Sequence, residues 1–550
     1  MTSAPKRNIL FIMADQLRWD YLSCAGHPHL RTPHLDRLAQ RGVRFSRAYV
    51  QSPVCGASRM SFYTGRYVGS HGASWNGVPL KVGEATLGDY VRKLGAEAVL
   101  VGKTHMTADT EGMERLGVDP KSIIGVRVSE CGFDPFERDD GLHGHGPDGA
   151  YTVPRARYED YLNAKGYDGD RPWHDWANAG QGLGNALASG WVMRNARLPA
   201  RVKEEDSETP YMTQRAMDYI AAAGDKPWVL HLSFIKPHWP YIAPAPYNDM
   251  YAAEHVIPAV RSEAERADPH PVYREFMQHR VSTAFARDEV RENVIPVYMG
   301  LIKQIDDQMG RLFRFLDERG IADSTMIVMT SDHGDYLGDH WMGEKDLFHD
   351  CSAKIPLIVY DPTREADATR GTVCDELVES IDLVPTFLEW LGGDVVALSH
   401  RLEGRSLLPL LQGVLHSSWR RFAISEYDYS LTPSAVRLGV EPKDARLFMV
   451  ADKRWKYVHA LGFRPMLFDL QNDPGELVDR GDDPGLEDVR SRHLAALHQW
   501  GLRLSQRTTQ SETQMKARRG KSMRKGILIG VWDETDIPAE LWSGYQGSRP

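Results

Sequence analysis

Residues 8–14 (NILFIMA) form a short apolar run that stops at Asp15, the pattern of a parallel strand buried on both faces. Beyond a polar loop, Thr32 offers an N-cap, Pro33 takes the first helical position, and Leu35, Leu38 and Ala39 share one face before Gly42. These signals predict a helix. The theme repeats, with a helix at 86–94 before a strand at 97–101, and a helix at 212–223 before a strand at 227–234. Ile302, Ile305, Met309, Leu312, Phe313 and Leu316 then line one helical face ahead of a strand at 326–329. Strands alternating with helices imply an α/β fold with a doubly wound sheet. Ligands bind such sheets beyond the carboxyl ends of the strands, where Asp15-Gln16, Lys103-Thr104-His105, His238 and Asp332-His333 fall.

The stretch 106–205 is rich in Gly, Asp, His and Trp and weakly periodic, and is expected to be an insertion over the site within a catalytic domain of residues 1–415. Short strand candidates at 421–426, 447–450 and 455–459, followed by a helix at 485–505, predict a small α+β subdomain over 416–510. Residues 511–550 read as an extended arm.

With 550 residues, 42% hydrophobic and 26% charged, the chain is globular and too long for one core alone. A net charge of -9 leaves no overall basic footprint for nucleic acid or an anionic membrane, so an anionic substrate must be held by local charges. Five widely spaced cysteines (Cys24, Cys55, Cys131, Cys351, Cys374) without a CxxC fit a reducing compartment. The apolar run near the start is too short for a signal segment, so a cytoplasmic location without membrane attachment is expected.

Candidate chemistry centres on Ser52-Pro53-Val54-Cys55-Gly56-Ala57-Ser58-Arg59, continuing to Thr64-Gly65-Arg66. A helix starting just after Cys55 would aim backbone N–H groups at an anionic nucleophile, with Arg59 one turn on; the bland alternative is a buried packing cysteine. The segment resembles the Cys-x-Pro/Ala-x-Arg signature, followed by Thr-Gly, of the sulfatase and phosphonate monoester hydrolase family in the alkaline phosphatase superfamily. Ala57 is the less common choice at its position, and Tyr63 replaces an aliphatic residue, Phe or Trp. The resemblance implies oxidation of Cys55 to formylglycine by a formylglycine-generating enzyme. One hydroxyl of the hydrated aldehyde can attack sulfur or phosphorus and the other can collapse the covalent intermediate, whereas a serine could do only the first half; Arg59, one turn on, can reach the diol oxygens.

Asp15, Gln16, Asp332 and His333 bring oxygen ligands and one imidazole from two strand ends. With residue 55 they suit one divalent metal, calcium or manganese before magnesium, rather than structural zinc. An Asp-His pair alone is more often structural, but SDHGDYLGDHWMGEK resembles the family's second signature. Gln16 and His333 replace an aspartate and an asparagine of many arylsulfatases, as in phosphonate monoester hydrolases and choline-sulfatase-like enzymes. Gly102-Lys103-Thr104-His105 matches the Gly-Lys-x-His of arylsulfatases, which implies that Lys103 touches sulfate oxygens and His105 serves the diol. Phosphonate monoester hydrolases tend to carry tyrosine and threonine here. A P-loop is excluded because Glu97 stands where glycine is needed.

The family counterparts of His238 and Lys345 touch the transferring group and assist the leaving oxygen; alone, each reads equally as a surface residue. Asn76, in Trp75-Asn76-Gly77, matches a substrate-facing asparagine of phosphonate monoester hydrolases, or simply forms a turn. The arm carries Lys516, Arg518, Arg519, Lys521, Arg524 and Lys525 before an apolar 526–532, and the resemblance implies that it packs on a neighbouring subunit of a dimer or tetramer. Together the resemblance implies an alkaline-phosphatase-like mixed sheet flanked by helices, and hydrolysis of (aryl) sulfate monoesters with promiscuity towards phosphonate monoesters and phosphodiesters. The alternative is phosphonate monoester hydrolysis as the primary activity. A non-catalytic oxyanion-binding relative would keep a free thiol at position 55, and a phosphatase or mutase of the superfamily would carry serine or threonine there.

Overall fold

The computed structural model describes residues 7–141, 157–414, 417–519, 528–545 and 547. Eight strands form one sheet: β1 (Asn8–Asp15), β2 (Val43–Tyr49), β3 (Glu97–Gly102), β4 (Asp134–Arg138) and, past a hairpin of β5 (Ala179–Gln181) and β6 (Leu187–Ser189), β7 (Trp228–Pro237), β8 (Thr325–Thr330), β9 (Lys354–Tyr360) and β10 (Thr372–Glu379). Their order is β10-β2-β9-β8-β1-β7-β3-β4, with β9 antiparallel to both neighbours and every other pairing parallel. The carboxyl ends of β8, β1, β7 and β3 therefore lie side by side at one edge.

Every residue of β1 and β7 is buried, as apolar runs covered on both faces require. Leu10 and Ile12 of β1 enter a core with α1 (Pro33–Arg41). Phe11, pointing the other way, packs 6.1 Å from Phe62 of α2 (Cys55–Thr64). Other helices that matter here are α3 (Leu87–Lys93), α4 (Glu208–Ala222), α5 (Asp288–Glu318) and α6 (Leu383–Trp390), the last placing Phe387 5.4 Å from Phe11. β1 pairs with β7 from Ile9↔Val229 to Ala14↔Phe234, and then Asp15 meets Pro237. This register slip, of the kind that re-aims a side chain, falls at the strand end that carries the candidate chemistry.

Several expectations change in detail. The Thr32 side chain does not cap α1; Asp306 Oδ1, from α5, accepts from the backbone N–H of His34 at 3.0 Å and of Leu35 at 2.9 Å. Gly42 ends α1 in extended backbone and is required by close approach, since a Cβ there would stand 2.3 Å from Val359 O. The helix read from Ile302 onwards begins fourteen residues earlier, at Asp288, and runs through Pro296.

Toward the C-terminus, β11 (Ala423–Asp428), β12 (Arg446–Ala451), β13 (Trp455–Ala460) and β14 (Met466–Asp469) form an antiparallel sheet covered by α7 (Glu487–Gly501); β14 was not foreseen. The described residues within 7–393 and 402–503 form one compact unit, within which buried Lys456 of β13 pairs with Asp350 and with Glu476, each at 2.6 Å. The described residues within 394–401 and 504–547 form a second unit, with α8 (Glu512–Arg518) and an exposed Ile529 and Trp532. Lys521, Arg524, Lys525, Gly526 and Ile527 of the arm lie outside the described residues, as does 142–156 of the expected insertion. Among the described residues no helix is long and apolar enough to cross a membrane.

Candidate active site

Cys55 opens α2, with Val54 before it in extended backbone. The Gly56 N–H donates to Asn76 Oδ1 at 2.8 Å, and a Cβ on Gly56 would stand 2.9 Å from that oxygen. Glycine thus lets the Asn76 loop close on the helix start, and Asn76 keeps its amide N–H groups for other partners.

Cys55, Asp15, Asp332 and His333 are all buried and bring potential ligand atoms within 4.8 Å of one another. His333 Nε2 lies 3.0 Å from Cys55 Sγ, 3.7 Å from Asp15 Oδ1 and 3.8 Å from Asp332 Oδ1. Its Nδ1 lies 2.8 Å from Gly334 O, so a proton there leaves Nε2 to face the cluster. Asp15 Oδ1, although buried, has no hydrogen-bond partner among the described residues. Gln16 donates its amide to Asp335 and, at 3.2 Å, to Tyr241, which turns its Oε1 toward Lys345 Nζ, 3.5 Å away. Two carboxylates, one of them with an orphaned oxygen, together with residue 55 and one imidazole form a donor set that could hold a divalent cation, with the Gln16 amide beside it. Burial lowers the proton affinity of His333, but Asp332 and Cys55 hold it up at about 9.

Four cationic or imidazole groups surround this cluster, and Arg59 lies beneath it. Fully buried, Arg59 donates Nε to Asp332 Oδ2 at 2.7 Å, one terminal nitrogen to Lys103 O at 2.9 Å and Ser233 Oγ at 2.8 Å, and the other to Asp15 Oδ2 at 3.3 Å. The expectation that Arg59 serves the diol oxygens is thereby shifted: the guanidinium spends its fork on two carboxylates and acts through them. Lys103 Nζ bonds Asp15 Oδ2 as well. Burial would raise the proton affinity of Asp15, yet Lys103, with His238 and Arg59, holds it well below the usual carboxylate range.

Lys345 Nζ lies 3.1 Å from Glu344 Oε1 and 3.3 Å from His238 Nε2. Burial works against its charge, but Cys55 and Glu344 raise its proton affinity well above the ordinary lysine value. His238 is pushed well below the ordinary histidine value by burial, against the pull of Asp15, so Lys345 carries the proton and the imidazole accepts from it. Burial and Lys103 likewise keep His105 neutral, and its buried Nδ1 has no hydrogen-bond partner among the described residues. Gln16, His105, Glu344 and Asp346 all hold positive φ, a strain typical of functional loops.

Cys55, Asn76, Lys103, His105, His238 and Lys345 open on one cavity of about 570 Å³. Each candidate site residue is therefore at the cavity, in the cluster beneath it or, for Arg59 and Gln16, hydrogen-bonded to that cluster. Missed were Asp335 and Tyr241, which orient Gln16; the 106–205 stretch, expected over the site, does supply a wall of the cavity, though its individual residues were not named. Asp335 stands inside the SDHGD segment, where its spacing from Asp332 was a usable signal; Tyr241 had none.

A family model for sulfatases matches residues 7–393, and one for the C-terminal region of N-sulphoglucosamine sulphohydrolase matches 338–501. The multifunctional alkaline phosphatase superfamily protein PehA of Trinickia caryophylli is 31% identical over 528 residues, covering 92% of this chain and 96% of its own. An arylsulfatase of Clostridium perfringens is 28% identical over 485 residues, 86% of this chain and 90% of its own. The crystal structure of the phosphonate monoester hydrolase of Agrobacterium radiobacter superposes with a TM-score of 0.77 at 27% identity, covering 90% of this chain and 95% of that one. Sheet, edge cluster and relatives together define a hydrolase of the alkaline phosphatase superfamily. Within it, the chain belongs to the sulfatase family.

Proposed function

We propose that the protein hydrolyses sulfate monoesters, aryl sulfates foremost, through residue 55 converted to formylglycine, and accepts phosphonate monoesters and phosphodiesters as further substrates. The observation that carries this reading is Cys55 at the start of α2, 3.0 Å from His333 in a buried donor cluster, with Lys103 and Lys345 facing the same cavity. Once formed and hydrated, the formylglycine would supply one hydroxyl for attack and a second whose deprotonation would expel sulfate and restore the aldehyde. Asp15, Gln16, Asp332, His333 and residue 55 would hold a divalent cation, calcium or manganese before magnesium, which would supply Lewis-acid stabilisation of charge on the ester.

The remaining work falls to the chain's own side chains. Arg59 fixes Asp15 and Asp332 in place. Lys103 and Lys345 neutralise charge on the non-bridging ester oxygens, and Asn76 donates its amide to the substrate. The protonated Lys345, paired with His238 Nε2, delivers a proton to the departing oxygen, while neutral His105 accepts one from residue 55. The reading also carries a formylglycine-generating enzyme as maturation partner, a homo-oligomer joined through the arm, and a cytoplasmic location.

A second reading, phosphonate monoester hydrolysis as the primary activity, draws support from Gln16, His333 and Asn76 and from two phosphonate monoester hydrolase structures with TM-scores of 0.77. Lys103 and His105 favour sulfate. Rates of the matured protein on 4-nitrophenyl sulfate and on 4-nitrophenyl phenylphosphonate decide between them. Comparable rates or a sulfate preference support the first reading, and a strong phosphonate preference overturns it.

A further inference from the structure

The cavity has a wall that the reacting groups do not explain. Trp173 and Trp191, both from the 106–205 stretch, line it together with Trp239, which directly follows His238, and with Met106 and Ile235. Trp173 is nearly buried, and its indole Nε1 donates to Glu208 Oε1 at 3.0 Å. Its ring lies 2.8 Å from where a Cβ on Gly141 would stand, with Ile235 Cδ1 at 3.4 Å from the same point, so a glycine at φ 66 lets ring and Ile235 converge. Trp239 is backed by Tyr241, with ring centroids 4.4 Å apart. Trp191 is the outer plate, 40% exposed.

The polar character of this wall is as informative as its rings. Its carboxylate, Asp140, is bonded by Arg138 and accepts from the His105 N–H at 3.3 Å, so it is committed within the protein. A cationic alcohol finds no uncommitted carboxylate here among the described lining residues, and a sugar finds little beyond Thr107 and Asn76 to bond its hydroxyls. Indole plates instead gain from covering flat apolar surface and from ring stacking.

We infer that Trp173, Trp191 and Trp239 form the leaving-group subsite, and that it selects a flat aromatic alcohol, a phenol or fused-ring phenol, over a sugar or a quaternary ammonium alcohol. The inference rests on the ester hydrolysis proposed above. Two measurements on the full-length protein separate it from that reading.

The first is calorimetric titration with 2-naphthol, choline and glucose, which needs no turnover. 2-Naphthol binds in preference to the other two, and Trp191→Ala weakens it about tenfold. The second is the ratio of kcat/KM for 2-naphthyl sulfate over ethyl sulfate, which falls about tenfold in Trp191→Ala and in Trp239→Leu. Choline can engage indole faces through cation–π attraction, so its binding more tightly than 2-naphthol overturns the inference. A titration and a ratio unchanged in both variants overturn it as well. If the matured protein hydrolyses neither sulfate ester nor an aryl phosphonate, the hydrolase reading fails, and the 2-naphthol titration still decides the subsite.

Discussion

Replacing Arg59 with lysine keeps the charge and removes the fork. In the native protein the guanidinium joins Asp332 Oδ2 at 2.7 Å and Asp15 Oδ2 at 3.3 Å while satisfying Lys103 O and Ser233 Oγ, all in a buried site. One ammonium cannot span both carboxylates; with Lys103 still on Asp15, the change removes one charge-assisted hydrogen bond of a buried network, which costs about 2 kcal/mol. The two orphaned acceptors, Lys103 O and Ser233 Oγ, add about 2 kcal/mol together. The expected loss is therefore about 4 kcal/mol in chelator, read from guanidinium chloride unfolding of Arg59→Lys against the parent. A saturating divalent cation shrinks the difference, because it compensates the same carboxylates that Arg59 serves. A loss below about 1 kcal/mol in chelator, or one of equal size with and without the cation, refutes the assignment of Arg59 as the brace of a metal-binding carboxylate pair.

Asp15→Asn removes a charged ligand whose Oδ1 is otherwise unpartnered, so the thermal shift produced by added calcium or manganese nearly disappears; an undiminished shift contradicts the site. Gly56→Ala places a Cβ 2.9 Å from Asn76 Oδ1, and the displaced loop lowers kcat about tenfold to a hundredfold with the fold retained by circular dichroism; unchanged kcat removes Asn76 from the reaction. Asp306, remote from the cavity, is raised by burial to about 7. Because its folded value lies above the unfolded one, its stabilising contribution is complete below about pH 4 and is lost as pH rises to about 7. Asp306→Asn keeps an oxygen for the α1 cap, so its stability relative to the parent rises by on the order of 1 to 3 kcal/mol between those pH values, then levels off; a pH-independent difference contradicts this.

What could be read before the structure follows from how strongly each element depends on its own residues. β1, β3, β7 and β8 are apolar runs with little to compete with them, and the polar residues that end them identified one edge of the sheet. β2 (VRFSRAY) and β10 (TVCDELVE) lie toward the sheet's far side and alternate or expose polar residues, so no unbroken apolar run announces them. Pro296 hid the first turns of α5, where Val290 and Val294 continue the buried face. The resemblance of two segments to family signatures implied Cys55, Asp332 and His333 as neighbours, which their residue types alone did not. The use of Arg59 on carboxylates, the Lys345–His238 pairing and the indole wall depend on long-range geometry, such as a 107-residue separation across one 3.3 Å contact, that no local pattern encodes.

The central claim is that residue 55, seated against Asp15, Asp332 and His333, acts as an aldehyde hydrate. Mass spectrometry of the peptide spanning 47–66, from protein produced together with a formylglycine-generating enzyme, tests it most directly. The account predicts a mass in which the Cys55 sulfur and two hydrogens are replaced by one oxygen, its abundance rising in step with hydrolytic rate. Unmodified cysteine throughout, in protein that nevertheless turns over aryl sulfate at full rate, would contradict it.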